Sequence, residues 1–580
     1  MPGVIALRGK KGAGERSLGE VFDAIVIGSG FGGSVMTYRL ARGGKTVCLL
    51  ERGKAYPPGS FARTPYEISR NFWRPSSGTY GLFDVWSFRH MAAVVSAGLG
   101  GGSLIYANVL LRKDRTWFAA SGAGGERWPI GRAELDAHYD AVEAILRPEI
   151  YPEEFARGNK TAAMRAAASK LGYDVTTHDR HDPSRASWFL PPLAVRFRDR
   201  AGNARIGEPL DDREPNYHGK PRETCRLCGE CDVGCNYGAK NTLDHTYLSL
   251  AAAAGADIRP LVEVEAIAPH AGGGYVVTFT RRAEGTGGAM ASERGTLRAG
   301  RVIVAAGALG STLLLMRSRK HLPRLSARLG AGFSGNGDFL AGAESCAMPL
   351  DASRAPVITS TFRFPDASDG AAPGTRGGYL QDAGYPLVAD YVMETFDPVA
   401  LLRRALRFAW GRLRARFARD PQTEIGGALG ALVGRATLSR DSMPLLGMGR
   451  DVPSGTLRLG AGRRLALTWS VEASRAYYDR IGREARRVTN AMGGRYVQNP
   501  LTRAFNSYIT VHPLGGCRMG ANDGEGVVDA WGEVFNYPHL YVADGSVMPG
   551  SVGPNPSLTI AAFSDRVASR MLETWGSCAR

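Results

Sequence analysis

The sequence predicts an α/β protein built on a parallel sheet, and three observations predict it. Asp23-Ala24-Ile25-Val26-Ile27 is a short apolar run without a turn residue, as a buried parallel strand reads. It enters Gly28-Ser29-Gly30-Phe31-Gly32-Gly33, a G-x-G-x-x-G at Gly28, Gly30 and Gly33, followed by a helical stretch from Ser34 to Arg42. A second strand, Thr46 to Leu50, then ends at the acid Glu51.

Each part of that unit has a physical role. Gly28 makes the tight turn, Gly30 lets the backbone approach a pyrophosphate, and Gly33 lets helix and strand pack closely. The helix N-terminus offers unpaired N–H groups to phosphate, and Glu51 accepts from a ribose hydroxyl. With 75 glycines in the chain, the turn alone says little; the strand, helix, second strand and acid around it make a Rossmann-like unit.

Further along, Ala92 to Arg112 is an apolar run interrupted by Gly98 and Gly100 to Gly102. Such a stretch lets backbone lie flat against a planar ligand, or else forms a tight buried turn. Leu243 to Ala254 reads as a helix, Leu261 to Ile267 as a strand, and Tyr275 to Thr280 with Arg298 to Ala305 as a hairpin. The last of these runs into Gly307-Ala308-Leu309-Gly310 and a helix from Ser311 to Arg319. A third strand-to-turn unit is Leu540 to Ser546, and a final helix spans Ala561 to Thr574. Strand–glycine–helix units this far apart imply a domain assembled from separated pieces.

The expected organisation is a flexible N-terminal arm (1–20), a discontinuous dinucleotide-binding domain (21–112, 222–345 and 500–580) and a second domain (113–221 and 346–499). The second domain carries a strand at Arg463 to Val471 and a long charged helix from about Ala473 to Gly493. A chain of 580 residues exceeds one core and suits two or three domains. Its 44% hydrophobic and 22% charged content is that of a globular protein. No apolar run approaches about 18 residues, and Val4 to Leu7 is too short for a signal-peptide core, so a cytoplasmic location is expected. The net charge of +17 suits an anionic partner. No helix-turn-helix, RNP-like or zinc-finger pattern accompanies it, so nucleic acid is not an expected partner.

Two segments carry chemistry of their own. Cys225-x2-Cys228-x2-Cys231-x3-Cys235 has ferredoxin-like spacing, with Asn236 where proline is usual, and reads as a candidate iron–sulfur cluster or zinc site. One cluster there would need a remote ligand, for which Cys346 and Cys517 are the candidates. The alternative is a loop with free thiols or disulfides. Residues 401–419 (LLRRALRFAWGRLRARFAR) put Leu402, Leu406, Ala409, Leu413 and Phe417 on one helical stripe among seven arginines. A basic amphipathic helix of this kind lies in a membrane interface or packs on the protein with its arginines in water, and the sequence leaves both open.

In its ordered motifs the chain resembles the glucose-methanol-choline (GMC) flavoprotein oxidoreductases: GSGFGG with Glu51, GLGGGS, VIVAAGALGS, HPLGG, VADGS and GPNPSLTI. His512-Pro513-Leu514-Gly515-Gly516, Lys240-Asn241-Thr242-Leu243-Asp244 and Gly335-Asn336-Gly337-Asp338 are most similar to its bacterial cholesterol-oxidase-like branch. The resemblance implies FAD, and with it a discontinuous Rossmann-like FAD-binding domain beside a substrate domain on a mixed or antiparallel sheet with helices. It places Gly28, Gly30 and Gly33 at the pyrophosphate and Glu51 at the adenosine ribose, with Phe31 and Arg52 also in the cofactor site. It sets Gly100, Gly101, Gly102, Ser103 and Asn108 near the isoalloxazine and Val264 at the adenine. Asp544 and Gly545 would meet the ribityl and pyrophosphate, and Gly307, Asn555 and Pro556 complete the cofactor set. His512 and Asn555 correspond to the family's catalytic pair. Sterol enzymes of this branch add a glutamate from the substrate domain, for which Asp382 is the nearest candidate, and commonly carry an aromatic where Ser557 stands.

The residue types suit the chemistry. An imidazole holds or accepts a hydroxyl proton near neutral pH, while an amide orients the hydroxyl without charge. The expectation is therefore hydride transfer to flavin N5 from a secondary, sterol-like or otherwise hydrophobic alcohol, giving a ketone, with His512 as base. The alternatives are the same chemistry on a sugar or glycoside with an electron-acceptor protein, and a non-redox flavoprotein lyase. No G-x-S-x-G or G-x4-G-K-[ST] is present, which sets aside serine-hydrolase and P-loop readings.

Overall fold

The computed structural model describes residues 20–118, 127–176, 185–210, 215–284, 290–367, 372–390, 402–403, 405–410, 413 and 437–576. The expected arm falls almost wholly outside them. Two seven-stranded sheets dominate. In the first, the strands run in the order Asp257–Arg259, Val47–Leu50, Val21–Ile27, Met290–Val304, Tyr275–Glu284 and Val262–Pro269, and Leu540–Val542 also pairs with Met290–Val304.

The parallel part carries the G-x-G-x-x-G turn. Ile27 lies opposite both Leu50 and Val304, and Val304 opposite Val542. Four parallel strands therefore end together, and the residues that follow them (Gly28, Glu51, Gly307 and Asp544) arrive at one edge. Ligands bind at this carboxyl edge in open α/β sheets. The strand ends that reach this edge are apolar because both faces are covered: Ala24, Ile25, Val26, Cys48 and Leu49 are fully buried. Helices Phe31–Arg42 and Ser557–Glu573 pack on one another against this sheet, and Gly307–Ser318 packs on Val262–Pro269.

Helices begin earlier than the sequence pattern suggests. They start at Phe31, Gly307 and Ser557, within segments read from sequence as turns. Glycine and proline at a first helical turn do not interrupt it, since the N–H groups there have no intrahelical partner.

The second sheet has the order Arg495–Gln498, Phe339–Glu344, Met443–Gly449, Gly378–Asp382, Thr361–Phe364, Ser187–Phe189 and Asp174–Val175. It is antiparallel except for its last pair. Helices Lys160–Lys170 and Arg475–Ala491 pack against it around Trp188, Phe362, Leu380, Tyr477 and Ile481. Phe339–Glu344 corrects the expected boundary at 345: it hydrogen-bonds within this sheet, between Met443–Gly449 and Arg495–Gln498. A small sheet of Phe83–Ser87, Met91–Ser96 and Tyr508–Thr510 leads the chain into His512.

Candidate active site

A cavity of about 950 Å³ opens at the carboxyl edge of the parallel sheet. Of the residues expected to hold cofactor, Gly28, Gly30, Phe31, Glu51, Arg52, Gly101, Gly102, Val264, Gly307, Asp544, Gly545 and Pro556 line it, together with His512 and Asn555. Gly33, Gly100, Ser103 and Asn108 do not. They support the wall from behind. A Cβ on Gly33 would sit 1.8 Å from the Gly28 carbonyl oxygen, so only glycine lets helix and turn approach. Ser103 Oγ donates to Gly100 O at 2.8 Å and accepts from Leu243 N at 3.0 Å. Asn108 is fully buried at φ +70°.

The acids are held in place. Glu51 Oε2 accepts from Ser29 N at 3.0 Å and Ser29 Oγ at 2.7 Å, and its Oε1 accepts from Gly53 N at 2.8 Å. Ser29 Oγ in turn accepts from Gly100 N at 2.9 Å, joining the two glycine runs. Asp544 ties two strand ends together: Oδ2 accepts from Gly307 N at 2.9 Å and Oδ1 from Ser546 N at 2.8 Å. Burial pushes its carboxyl upward from the usual range, against these hydrogen bonds. Arg52 pairs with Asp84 at 2.6 Å and lies over the Trp73 ring.

These residues fit FAD. A Cβ at Gly30, Gly102 or Gly307 would meet no atom within 4 Å, so three glycines face the open cavity as a backbone cradle. The cradle lies beside a helix N-terminus, with a fixed carboxylate at the end of the second strand, as a dinucleotide requires.

His512 and Asn555 meet in this cavity through the Gly335–Asp338 turn. His512 Nδ1 lies 2.8 Å from Asp338 Oδ1. Asp338 Oδ2 accepts from Val511 N at 2.9 Å, Thr510 Oγ1 at 2.9 Å and His512 N at 3.2 Å. Two residues earlier, Asn336 accepts from Gly553 N at 3.0 Å and donates to Pro554 O at 3.0 Å, holding the loop that delivers Asn555. Asn555 Oδ1 also accepts from Gln381 Nε2 at 3.0 Å. Sequence reasoning assigned no role to Asn336, Asp338 or Gln381; the Gly335–Asp338 motif was the available signal for the first two.

Asp382 does not belong to this constellation. It is fully buried, ion-paired with Lys160, and accepts from Thr359 N, Thr359 Oγ1, Ser360 N and Ser360 Oγ. It does not line the cavity. Successive strand residues point to opposite faces, so in Gly378–Asp382 it is Gln381 that reaches Asn555.

An iron–sulfur cluster is not supported among the described residues, where the cysteines stand as free thiols. Cys225 and Cys231 are buried in an apolar cluster with Val195, Phe197, Val357 and Met448, whereas Cys346 and Cys517 belong to two other cores. Among the described residues no three His, Cys, Asp or Glu side chains are gathered as a metal ion needs. Cys225, Cys228, Cys231 and Cys235 border one small cavity. Burial pushes the Cys225 and Cys231 thiols up, and Cys228 to about 12. The loop is organised by buried Lys240, whose Nζ donates to Cys231 O at 2.7 Å, Tyr106 O at 2.9 Å and Leu104 O at 3.1 Å.

Two family models described as GMC oxidoreductase match residues 200–329 and 463–564. The chain is 30% identical over 566 residues to a cholesterol oxidase of Mycobacterium tuberculosis, covering 94% of this chain and 90% of that one. To a cholesterol oxidase of Acinetobacter baumannii it is 29% identical, covering 94% of each. Among solved structures, pyridoxine 4-oxidase from Mesorbium loti aligns with a TM-score of 0.56 at 17% identity, covering 94% of this chain and 98% of that one.

Proposed function

Because the chain belongs to the GMC oxidoreductases, FAD-dependent enzymes acting on CH–OH donors, we propose that it oxidises a secondary hydroxyl of a sterol-like or other hydrophobic alcohol to a ketone. FAD, when bound, supplies the two-electron acceptor for the hydride that leaves the carbinol carbon. His512 takes the hydroxyl proton. Asn555, its Oδ1 engaged by Gln381, keeps its amide N–H groups for the substrate oxygen. Gly28, Gly30, Glu51, Gly102, Gly307 and Asp544 hold the cofactor.

The observation that carries the hydrophobic substrate is the wall beside this pair. Gln381 lies directly opposite Leu446 in the second sheet, so their side chains share a face, and Met448 follows on the same face. Leu446 and Met448, with Val357, Ile358 and Val109, line the cavity that holds His512 and Asn555. A sugar would leave its further hydroxyls unpaired against such a wall, at a cost of about 1–3 kcal/mol each. The test is anaerobic mixing of the flavoprotein with a sterol, a long-chain secondary alcohol and a glycoside. Bleaching of the flavin by the first two, with ketone formed in equal amount, is the expected result. Bleaching by the glycoside alone, or by no alcohol, overturns the reading.

The basic stretch supports contact with an anionic lipid surface, where such a substrate dissolves. Leu402, Leu406, Trp410 and Leu413 are 61%, 61%, 67% and 47% exposed. Arg403 and Arg407 are exposed on the same helical stretch. Phe417 and the other arginines lie outside the described residues. No helix among the described residues is long and apolar enough to cross a membrane, so contact would be interfacial.

A further inference from the structure

Asp338 has a geometry that its neighbours dictate. It is 7% exposed, and its two oxygens have different partners. Oδ2 faces the backbone N–H groups of Val511 and His512, which can only donate, and Thr510 Oγ1. Oδ1 faces His512 Nδ1 at 2.8 Å. Neutral imidazole carries its proton on one nitrogen only, and a carboxylate can only accept. The proton of neutral His512 is thereby placed on Nδ1, leaving the Nε2 lone pair as the base.

We propose that Asp338 is a positioning residue that selects the proton-accepting tautomer of His512. The inference rests on the reading of His512 as the base. The same three donors at Oδ2 make the substitution Asp338→Asn informative. Its amide oxygen must face the two backbone N–H groups, because an NH2 there would oppose them donor to donor. The NH2 then faces Nδ1, which must accept, and the proton moves to Nε2, the wrong nitrogen for taking a proton from an alcohol. Loss of a carboxylate that fixes a catalytic histidine's tautomer lowers turnover by about 10⁴-fold where geometry is otherwise kept.

The test combines kinetics with side-chain nitrogen NMR of ¹⁵N-histidine-labelled holoenzyme, the His512 signals being identified by their loss in His512→Ala. Wild type is expected to show His512 protonated on Nδ1. Asp338→Asn is expected to show it on Nε2, with kcat down by about 10³-fold or more, KM within about threefold and flavin content unchanged. A wild-type His512 protonated on Nε2, or an Asp338→Asn enzyme within tenfold of wild-type kcat, overturns the proposal. The wild-type measurement decides even where the variant does not fold. Full turnover in His512→Ala would instead overturn the base reading while leaving the tautomer measurement intact, so the two failures are distinguishable.

Discussion

Gln381 Nε2 donates to Asn555 Oδ1 across 3.0 Å, and both side chains are buried. A primary amide turns end for end at little cost unless its surroundings distinguish oxygen from nitrogen. In this pairing Gln381 holds the Asn555 oxygen, which leaves the Asn555 N–H groups as the donors of a side chain that lines the cavity. Gln381→Leu should leave the amide unoriented and lower kcat by about 10–100-fold, in line with the loss of one positioned hydrogen bond. Gln381→Glu should cost at least as much, because a carboxylate attracts the Asn555 NH2 and turns its oxygen toward the substrate. Both variants should retain flavin. Unchanged steady-state turnover in both would remove Asn555 orientation from the mechanism.

Asp382, one residue along, gives the opposite expectation. Lys160 and Asp382 are both fully inaccessible, and burial lowers the Lys160 ammonium from its ordinary range while Asp382 opposes that fall. Asp382→Ala leaves a buried cation without its counter-charge. It should destabilise the protein by about 3–5 kcal/mol. Protein that remains folded should turn over substrate at a rate within about threefold of wild type. Denaturant unfolding followed by tryptophan fluorescence measures the first and steady-state kinetics the second. A large kcat loss without destabilisation would return Asp382 to the catalytic site.

These two neighbours show where sequence stops being informative. The dinucleotide half was legible because local chemistry dictates it: an apolar strand, a G-x-G-x-x-G turn and an acid at the next strand end need no long-range information. Gly28, Glu51, Gly307 and Asp544 accordingly meet at one edge of the sheet. The substrate half depends on register. Whether Gln381 or Asp382 faces Asn555 is decided by one step along a strand, and reading either face requires knowing the partner strand. Asp338 and Asn336 act on residues more than 170 positions away. The cysteine spacing, conversely, is a strong local pattern, yet no group of metal ligands gathers there among the described residues.

The exposed apolar side chains at 402–413 predict lipid binding that depends on them rather than on net charge alone. Leu406→Ser with Trp410→Ser removes two side chains that are each more than 60% exposed. Substituting exposed residues should leave stability unchanged within about 0.5 kcal/mol. Co-sedimentation with vesicles containing anionic lipid should fall by at least tenfold, since each buried side chain of this size contributes about 1.5–3 kcal/mol. Equal sedimentation of wild type and double variant would restrict the stretch to a solvated surface. Binding by wild type that vanishes at high salt while the variant behaves alike would assign the attraction to arginines elsewhere.

Behind the Gly100 turn, His245 is buried next to Asp244, which is bonded to His218 Nε2 at 2.7 Å. Burial drives the His245 imidazole down from 6.5 to about 4, with Asp244 opposing and Arg222 adding to the fall. The sign follows from linkage: with the folded value below the unfolded one, the unfolded chain takes up the proton first as pH falls. The contribution of neutral His245 is intact above pH 6.5, erodes between pH 6.5 and 4, and is then constant. The gap corresponds to about 3 kcal/mol at most. His245→Gln cannot titrate, so the stability difference between wild type and variant should shrink steadily as pH falls through that window. Urea unfolding at pH 7, 6, 5 and 4 measures it. Parallel curves for the two proteins would mean that His245 titrates as freely in the folded enzyme as in the unfolded chain.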